Sequence, residues 1–127
     1  MCGICGVYAP GDGVDEALLK RMNRVQHHRG PDSDGYATFD GVGLAVKRLK
    51  IIDLATGDQP IANEDGAVTV VYNGEIYNFP DLRERLIGKG HRFRTKSDTE
   101  VIVHLYEEKG EKFLHDLNGM FAIALWD

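Results

Sequence analysis

The sequence is poor in cysteine, in long apolar runs and in basic residues, and each shortage excludes a class of protein. Two cysteines in 127 residues cannot build the disulfide framework of a small secreted scaffold. The apolar runs are far shorter than the roughly 18 residues of a membrane helix, and no signal-peptide pattern is present. Fifteen Lys and Arg residues, scattered among twenty Asp and Glu, form no basic stripe. We therefore expect a cytoplasmic globular protein with no nucleic-acid partner and no membrane association.

What the sequence does contain is short strand patterns and a few helix patterns, separated by many of its 15 glycines. Strands are predicted at 4–9, 36–39, 42–46, 67–72 and 120–126, and helices at 15–26, at 80–88 and after Ser97, with a helical turn at 111–117. Asp40-Gly41 favours a tight hairpin with both residues at positive φ. Ser97 and Glu100 have the spacing of a capping box. This mixture indicates an α+β fold.

Cys2 and Cys5 have the C-x-x-C spacing, which is compatible with a redox or a zinc site. A thioredoxin-like dithiol lies between a strand and a helix N-terminus, whereas a strand pattern directly follows this pair. A zinc site needs two further ligands, and the adjacent His27 and His28 cannot both point at one ion. The context therefore disfavours both interpretations, and Cys5 is better explained as a small buried side chain.

The position of Cys2 suggests a different chemistry. If Met1 is removed, Cys2 carries both a thiol and a free α-amine, with reference pKa values of about 8.5 and about 7.7 to 8.0. A proton can then pass between them near neutral pH, so one residue would supply both nucleophile and base. Position alone, however, favours an accidental cysteine.

Six motifs decide between these alternatives. In order they are Cys2-Gly3-Ile4-Cys5-Gly6, His28-Arg29-Gly30-Pro31-Asp32-Ser33, Arg48-Leu49-Lys50-Ile51-Ile52-Asp53, Tyr72-Asn73-Gly74-Glu75-Ile76-Tyr77-Asn78, Ser97-Asp98-Thr99-Glu100 and Leu117-Asn118-Gly119-Met120-Phe121-Ala122. Together they resemble the glutaminase domain of glutamine-dependent asparagine synthetases, a class II glutamine amidotransferase among the N-terminal-nucleophile (Ntn) hydrolases. The resemblance covers the whole chain.

The resemblance implies a four-layer αββα sandwich with two antiparallel sheets, which hydrolyses L-glutamine to glutamate and ammonia. The ammonia would pass to an ATP-dependent synthetase domain that this chain does not contain. No cofactor is implied here, because ATP and Mg would be needed only by that domain, and a homodimer is possible. No turn or cap follows the strand pattern at 120–126, so we expect residues 1–127 to be the N-terminal, C-terminally incomplete portion of the glutaminase domain. Alone, such a portion should expose a strand edge, self-associate and have weak activity.

Each matching residue receives a role. The Cys2 thiolate would attack the δ-carbonyl, and the Asn73 side chain and the Gly74 backbone N–H would stabilise the oxyanion. Taken alone, Asn73-Gly74 would more simply be a hairpin turn. A pocket for free glutamine needs a cation and an anion, and the family positions are Arg48, Glu75 and Asp98, with carbonyl groups of Ile51 and Ile52.

Simpler explanations exist for several of these residues. Arg48 alone could be a solvated charge at a strand end, and Asp98 a residue in the first turn of a helix. Arg29 and Asp32 are assigned a supporting role around the nucleophile, although a salt bridge fixing their loop would also explain them. The five histidines, His27, His28, His91, His104 and His115, show no catalytic spacing, and no metal site is predicted.

Two other functions remain open. A non-catalytic glutamine-binding or regulatory module would keep Arg48, Glu75 and Asp98 without turnover. A C-x-x-C redox or metal module would use none of these residues. Glutamine hydrolysis distinguishes the first alternative, and metal content with thiol titration distinguishes the second.

Overall fold

The computed structural model describes residues 2–127 and contains two three-stranded antiparallel sheets. The first sheet has the order β1 (Gly3–Tyr8), β3 (Val42–Arg48), β2 (Ser33–Phe39), and the second has the order β4 (Ile61–Ala62), β5 (Thr69–Ile76), β6 (Gly119–Trp126). The α-helices are α1 (Glu16–Arg24), α2 (Phe79–Gly88) and α3 (Glu100–Lys109), and 3₁₀ turns lie at His27–Arg29 and Gly110–Asp116. No helix of residues 2–127 has the length and apolarity to cross a membrane.

Helix α1 covers the outer face of the first sheet. Its N-terminus is capped by Asp15, whose side chain accepts a hydrogen bond from the Leu18 N–H at 3.0 Å. The buried Leu19 side chain packs against Gly43, in the space that a Cβ at position 43 would otherwise occupy. The buried Asn23 amide donates to the carbonyl of Val46 at 3.1 Å. One helix face is thereby fixed to the central strand β3.

The alternation of side chains along β5 divides the interior into two cores. Val70, Tyr72 and Ile76 belong to a core shared with α2 and α3. Val71 lies on the opposite face, in a smaller core with residues of the first sheet, including Val46. The layers are therefore α1, first sheet, second sheet, then α2 with α3. The predicted four-layer sandwich is confirmed.

Most predicted elements are present, although their ends are shifted. Two predicted local structures, the turn at Asp40-Gly41 and the capping box, differ from the prediction. The hairpin of β2 and β3 pairs Phe39 with Val42, but of its two turn residues only Gly41 has positive φ. The capping box does not form, because α3 begins only at Glu100, whose carboxylate turns back to accept the Thr95 N–H at 2.7 Å.

The largest difference concerns the strand predicted at 67–72. Strand β5 continues to Ile76 and pairs with β6 throughout, with Gly74 opposite Phe121. Asn73-Gly74 is therefore not a hairpin turn. A Cβ at position 74 would approach the Met120 carbonyl oxygen to 2.2 Å, so Gly74 permits the close pairing of these two strands.

Candidate active site

Most of the predicted site residues line one pocket. This pocket contains about 440 Å³ of empty space and is partly open to solvent. Seven of the eight predicted catalytic and substrate-binding residues line it: Cys2, Arg48, Ile51, Ile52, Gly74, Glu75 and Asp98. They come from both sheets and from the segment before α3. The fold thus brings together residues that are far apart in the sequence.

Cys2 and Arg48 enter the pocket from neighbouring strands of the first sheet. Gly3 pairs with Lys47, so one further step along both strands places Cys2 beside Arg48. Cys2 also packs against the core between the two sheets. Its Sγ accepts a hydrogen bond from the Leu49 N–H at 3.4 Å. The sulfur is therefore held at the end of the space between the sheets, where the pocket opens.

Cys5 lies on the other face of β1. Its thiol interacts with Gln26, next to α1, and burial raises its pKa, an effect that the Gln26 hydrogen bond partly offsets. Both cysteines are free thiols, and because they point to opposite sides of the strand they do not form a dithiol pair. This geometry disfavours the redox alternative and is compatible with a packing role for Cys5.

Gly74 lies where β5 presents an open edge to the pocket. Strand β4 pairs only with residues 69 and 70 of β5. Residues 71–76 therefore pair with β6 along one edge of β5 and with no strand of the described chain along the other edge. The N–H groups of Tyr72 and Ile76 point away from β6, toward the side chains of Gln59 and Asp98. Since N–H directions alternate along a strand, the Gly74 N–H points the same way, into the pocket.

Asn73 is the one residue of the predicted catalytic and substrate-binding set that does not line the pocket wall. It lies two residues after Val71 and so faces the first sheet, on the side where Cys2 packs. Its Oδ1 is buried and has no hydrogen-bond partner among residues 2–127. The side chain is therefore not fixed by the structural contacts that usually explain a buried amide.

Arg48 is buried and already paired. Its Nη1 donates to the Asp58 carboxylate at 2.6 Å, and its Nη2 donates to the carbonyl oxygens of Ile52 at 2.9 Å and Asp53 at 2.7 Å. The Arg48 guanidinium lowers the pKa of Asp58. These contacts use three of the five guanidinium N–H donors. Arg48 is therefore not a solvated strand-end charge, because it holds the loop that forms one wall of the pocket.

Asp53 ties this loop to the segment that carries Asp98. Its carboxylate accepts hydrogen bonds from the Thr56 N–H at 2.9 Å and the Lys96 N–H at 2.7 Å. Burial opposes ionisation, but the hydrogen bonds from Thr56 and Lys96 lower the pKa of Asp53 to about 2. The positive φ of Asp53, 51°, marks the sharp turn that allows both contacts.

Asp98 is buried at the open edge of β5, ahead of α3 and outside its first turn. Its Oδ2 accepts the Tyr72 hydroxyl at 2.8 Å and the Ile76 N–H at 3.0 Å. Burial and the Asp98 charge raise the pKa of Tyr72, so the phenol stays a donor. Glu75 also lines the pocket, and within residues 2–127 its carboxylate has no hydrogen bond or ion pair. Two carboxylates thus face the pocket opposite the Arg48 cation.

A family model of glutamine amidotransferase domains matches residues 1–127, the whole chain. The chain belongs to this family. It is 48% identical over 131 residues to asparagine synthetase [glutamine-hydrolyzing] 2 of Bacillus subtilis and 50% identical over 129 residues to asparagine synthetase [glutamine-hydrolyzing] 2 of Arabidopsis thaliana. These alignments cover 100% and 98% of this chain, but only 17% and 22% of the relatives.

A solved structure with the same fold is glutamine phosphoribosylpyrophosphate amidotransferase from B. subtilis, with a TM-score of 0.74 over 98% of this chain and 35% of that one. At 19% identity, this likeness concerns the fold alone. The two-sheet sandwich of this amidotransferase domain is therefore a fold that the B. subtilis enzyme shares.

The two residues predicted to support the nucleophile of the amidotransferase domain have separate environments. Neither Arg29 nor Asp32 lines the pocket, and no ion pair joins them within the described chain. Asp32 instead accepts the Lys50 N–H at 2.9 Å and donates its own N–H to the Arg48 carbonyl at 3.1 Å. It thereby holds the segment whose Leu49 N–H contacts Cys2.

Further lining residues of this amidotransferase pocket were missed in the sequence: Leu49, Gln59, Tyr72, Ser97 and Thr99. Leu49, Tyr72, Ser97 and Thr99 lie within the quoted motifs, so the motifs themselves were the available signal. Gln59 lies outside them and contributes its Oε1, which accepts the Tyr72 N–H at 2.6 Å.

Proposed function

We propose that this amidotransferase domain hydrolyses the side-chain amide of L-glutamine with Cys2 as the nucleophile. One observation carries the proposal: the Cys2 pocket contains a cation, two carboxylates and the unpaired edge of β5. Free glutamine has an α-carboxylate, an α-ammonium group and a neutral amide. The pocket offers a partner for each of these three groups.

Recognition follows from the charges around the pocket. The remaining Arg48 donors would bind the α-carboxylate, and Glu75 and Asp98 would bind the α-ammonium group. Ile51 lines the same wall, so its carbonyl can contribute a further acceptor. The Ile52 carbonyl is already used by Arg48 and is therefore assigned to positioning this side chain.

The reaction divides into two displacements at the δ-carbonyl carbon. The Cys2 sulfur adds to this carbon, and the oxyanion receives hydrogen bonds from the Gly74 N–H and the Asn73 amide. As the sulfur adds, its thiol proton passes to the Cys2 α-amine, and the tetrahedral adduct then collapses to a thioester as ammonia leaves with that same proton. Water, activated by the same amine, then attacks the thioester and releases glutamate and the free thiol.

The relatives also suggest the wider context. By their similarity, we propose that the ammonia serves an asparagine-synthetase-like reaction in a synthetase domain of the same protein, and that residues 1–127 belong to its glutaminase domain. ATP and Mg would then be required by the synthetase domain, while the glutaminase site needs no cofactor. The cytoplasmic location and the possible homodimer remain predictions from the sequence.

Removal of Met1 decides whether this mechanism can operate, and Met1 lies outside the described residues. An attached methionine converts the Cys2 amine into an amide, which cannot act as a base. We expect glutamate release from glutamine only in protein whose N-terminal mass shows Cys2 as the first residue. Measuring mass and glutaminase activity on the same preparation tests this. Glutamine binding without turnover in the processed protein would instead support the non-catalytic alternative.

Arg48→Ala is expected to raise KM for glutamine by about 10- to 100-fold with a smaller change in kcat, since a charge-assisted hydrogen bond contributes about 1.5–3 kcal/mol. Steady-state kinetics at several glutamine concentrations would measure this.

Arg48 also anchors its loop through Asp58, so the matched control is Asp58→Asn. This variant keeps the size of the side chain and removes its charge from the Arg48 pair. It should leave KM within a few fold of the wild type. A KM increase as large as that of Arg48→Ala would show that loop anchoring, and not carboxylate binding, explains the effect.

A further inference from the structure

Four side chains in the outer helical layer point their polar atoms at one position. These are Glu64, in the connection between β4 and β5, His91, after α2, and His104 with Glu107 on α3. One ligand atom from each lies within 4.8 Å of the others. None of the four lines the pocket of Cys2. The cluster is therefore separate from the glutaminase site.

The distances within this cluster match those between the ligands of a tetrahedral metal ion. His91 Nδ1 lies 3.1 Å from Glu64 Oε1 and 3.8 Å from Glu107 Oε2. His104 Nδ1 lies 3.2 Å from the other Glu64 oxygen, Oε2, and 3.3 Å from Glu107 Oε2. Tetrahedral bonds of about 2.0–2.1 Å separate neighbouring ligand atoms by about 3.3–3.4 Å. Small side-chain movements would therefore complete the coordination.

Three of these four ligands, His91, His104 and Glu64, also have a second polar neighbour. His91 Nε2 lies 3.3 Å from Glu108, and the buried His104 Nε2, which has no hydrogen bond, lies 3.7 Å from Glu100. Histidines that bind a metal through one nitrogen usually donate the other N–H to a carboxylate. Glu64 Oε1 accepts the Arg92 N–H at 2.9 Å. The outer contacts therefore have the arrangement of a metal centre.

We propose that Glu64, His91, His104 and Glu107 bind a divalent metal ion of the zinc type. Two imidazoles with two carboxylates suit zinc, and four protein ligands leave no open position, which is typical of a structural site. The ion would join the Glu64 connection and the His91 segment to α3. Because the ligands come from three separate elements, their spacing in the sequence gave no metal signal, and the proposal would overturn the expectation of no metal site.

Titration calorimetry with zinc ions, on metal-free purified protein, tests the proposal. We expect one ion per chain, and a melting temperature that rises with zinc concentration. Cobalt(II) should give the visible bands of a tetrahedral ion without the thiolate charge-transfer band that Cys2 or Cys5 would produce. His91→Ala and Glu107→Gln should each weaken zinc binding by about 100-fold or more, and Glu100→Gln by about 10-fold.

The matched controls are His28→Ala, an exposed histidine outside the cluster, and Cys5→Ser, and both should bind zinc as the wild type does. Glu107 is partly exposed, so Glu107→Gln provides a variant less prone to unfolding than a change at the buried His104. Circular dichroism without metal checks the fold of each variant. Absent binding, a thiolate band, or unchanged affinity in a folded His91→Ala or Glu107→Gln protein would overturn the proposal. The assay uses no glutamine, so its outcome is independent of the proposed function.

Discussion

Cys2→Ala is expected to abolish glutamine hydrolysis, with a loss in kcat on the order of 10⁴-fold or more. Among residues 2–127, Cys2 is the only sulfur-containing residue that lines the pocket, and the substitution removes this sulfur while the backbone around it keeps its contacts. Cys2 is partly buried, and its sulfur makes two weak backbone contacts, with the N–H and the carbonyl of Leu49, so the fold should persist. Glutamate release measures the loss, and calorimetry with glutamine should still detect binding through Arg48, Glu75 and Asp98.

Cys5→Ser is the matched control, because it alters a thiol three positions away that faces α1. Turnover in this variant should stay within a few fold of the wild type. Equal losses in the two variants would contradict the assignment of Cys2 as the sole nucleophile and would favour a paired dithiol, despite the opposite directions of the two side chains. Retained turnover in Cys2→Ala would remove the proposed mechanism altogether.

The sequence predicted most strands and helices well because burial has a simple periodic signature, whereas the four layers followed only from the family resemblance. Alternating apolar residues in 42–46 and 120–126 identified β3 and β6, and a three-to-four-residue spacing identified α1. Local turn rules worked less well. Asn73-Gly74 has the composition of a hairpin turn, yet pairing with β6 keeps it in an extended strand, since tertiary contacts outweigh a two-residue preference.

The positions of the site residues could be predicted only through their motifs. Nothing in the local pattern shows that Arg48 is buried and bound to Asp58, because this ion pair depends on the path of the loop between them. The same limit applies to His91 and His104, whose rings lie 4.7 Å apart although they belong to separate segments. Contacts between distant segments follow from the packing of the layers.

Asn73→Ala is expected to lower kcat by about 10²- to 10³-fold with little change in KM, the typical cost of losing one oxyanion donor. The Gly74 N–H belongs to the backbone and cannot be removed by a side-chain substitution, so Asn73 is the donor that mutagenesis can test. Its buried Oδ1 has no hydrogen-bond partner among residues 2–127, so this acceptor holds no part of the described structure together. Truncation should therefore affect the reaction far more than the stability.

Asn78→Ala is the matched control for the same amide-to-methyl change. The Asn78 side chain donates to the Asp116 carbonyl at 2.8 Å and accepts the Asn118 N–H at 2.9 Å, so its loss should lower the melting temperature and leave kcat of the folded protein nearly unchanged.

The comparison of Asn73→Ala with Arg48→Ala is equally important. An oxyanion donor acts mainly once charge has developed on the δ-oxygen, whereas a carboxylate partner acts as soon as glutamine binds. If Asn73→Ala raised KM as Arg48→Ala should, with kcat preserved, Asn73 would be a substrate-binding residue and the oxyanion would depend on Gly74 and other donors.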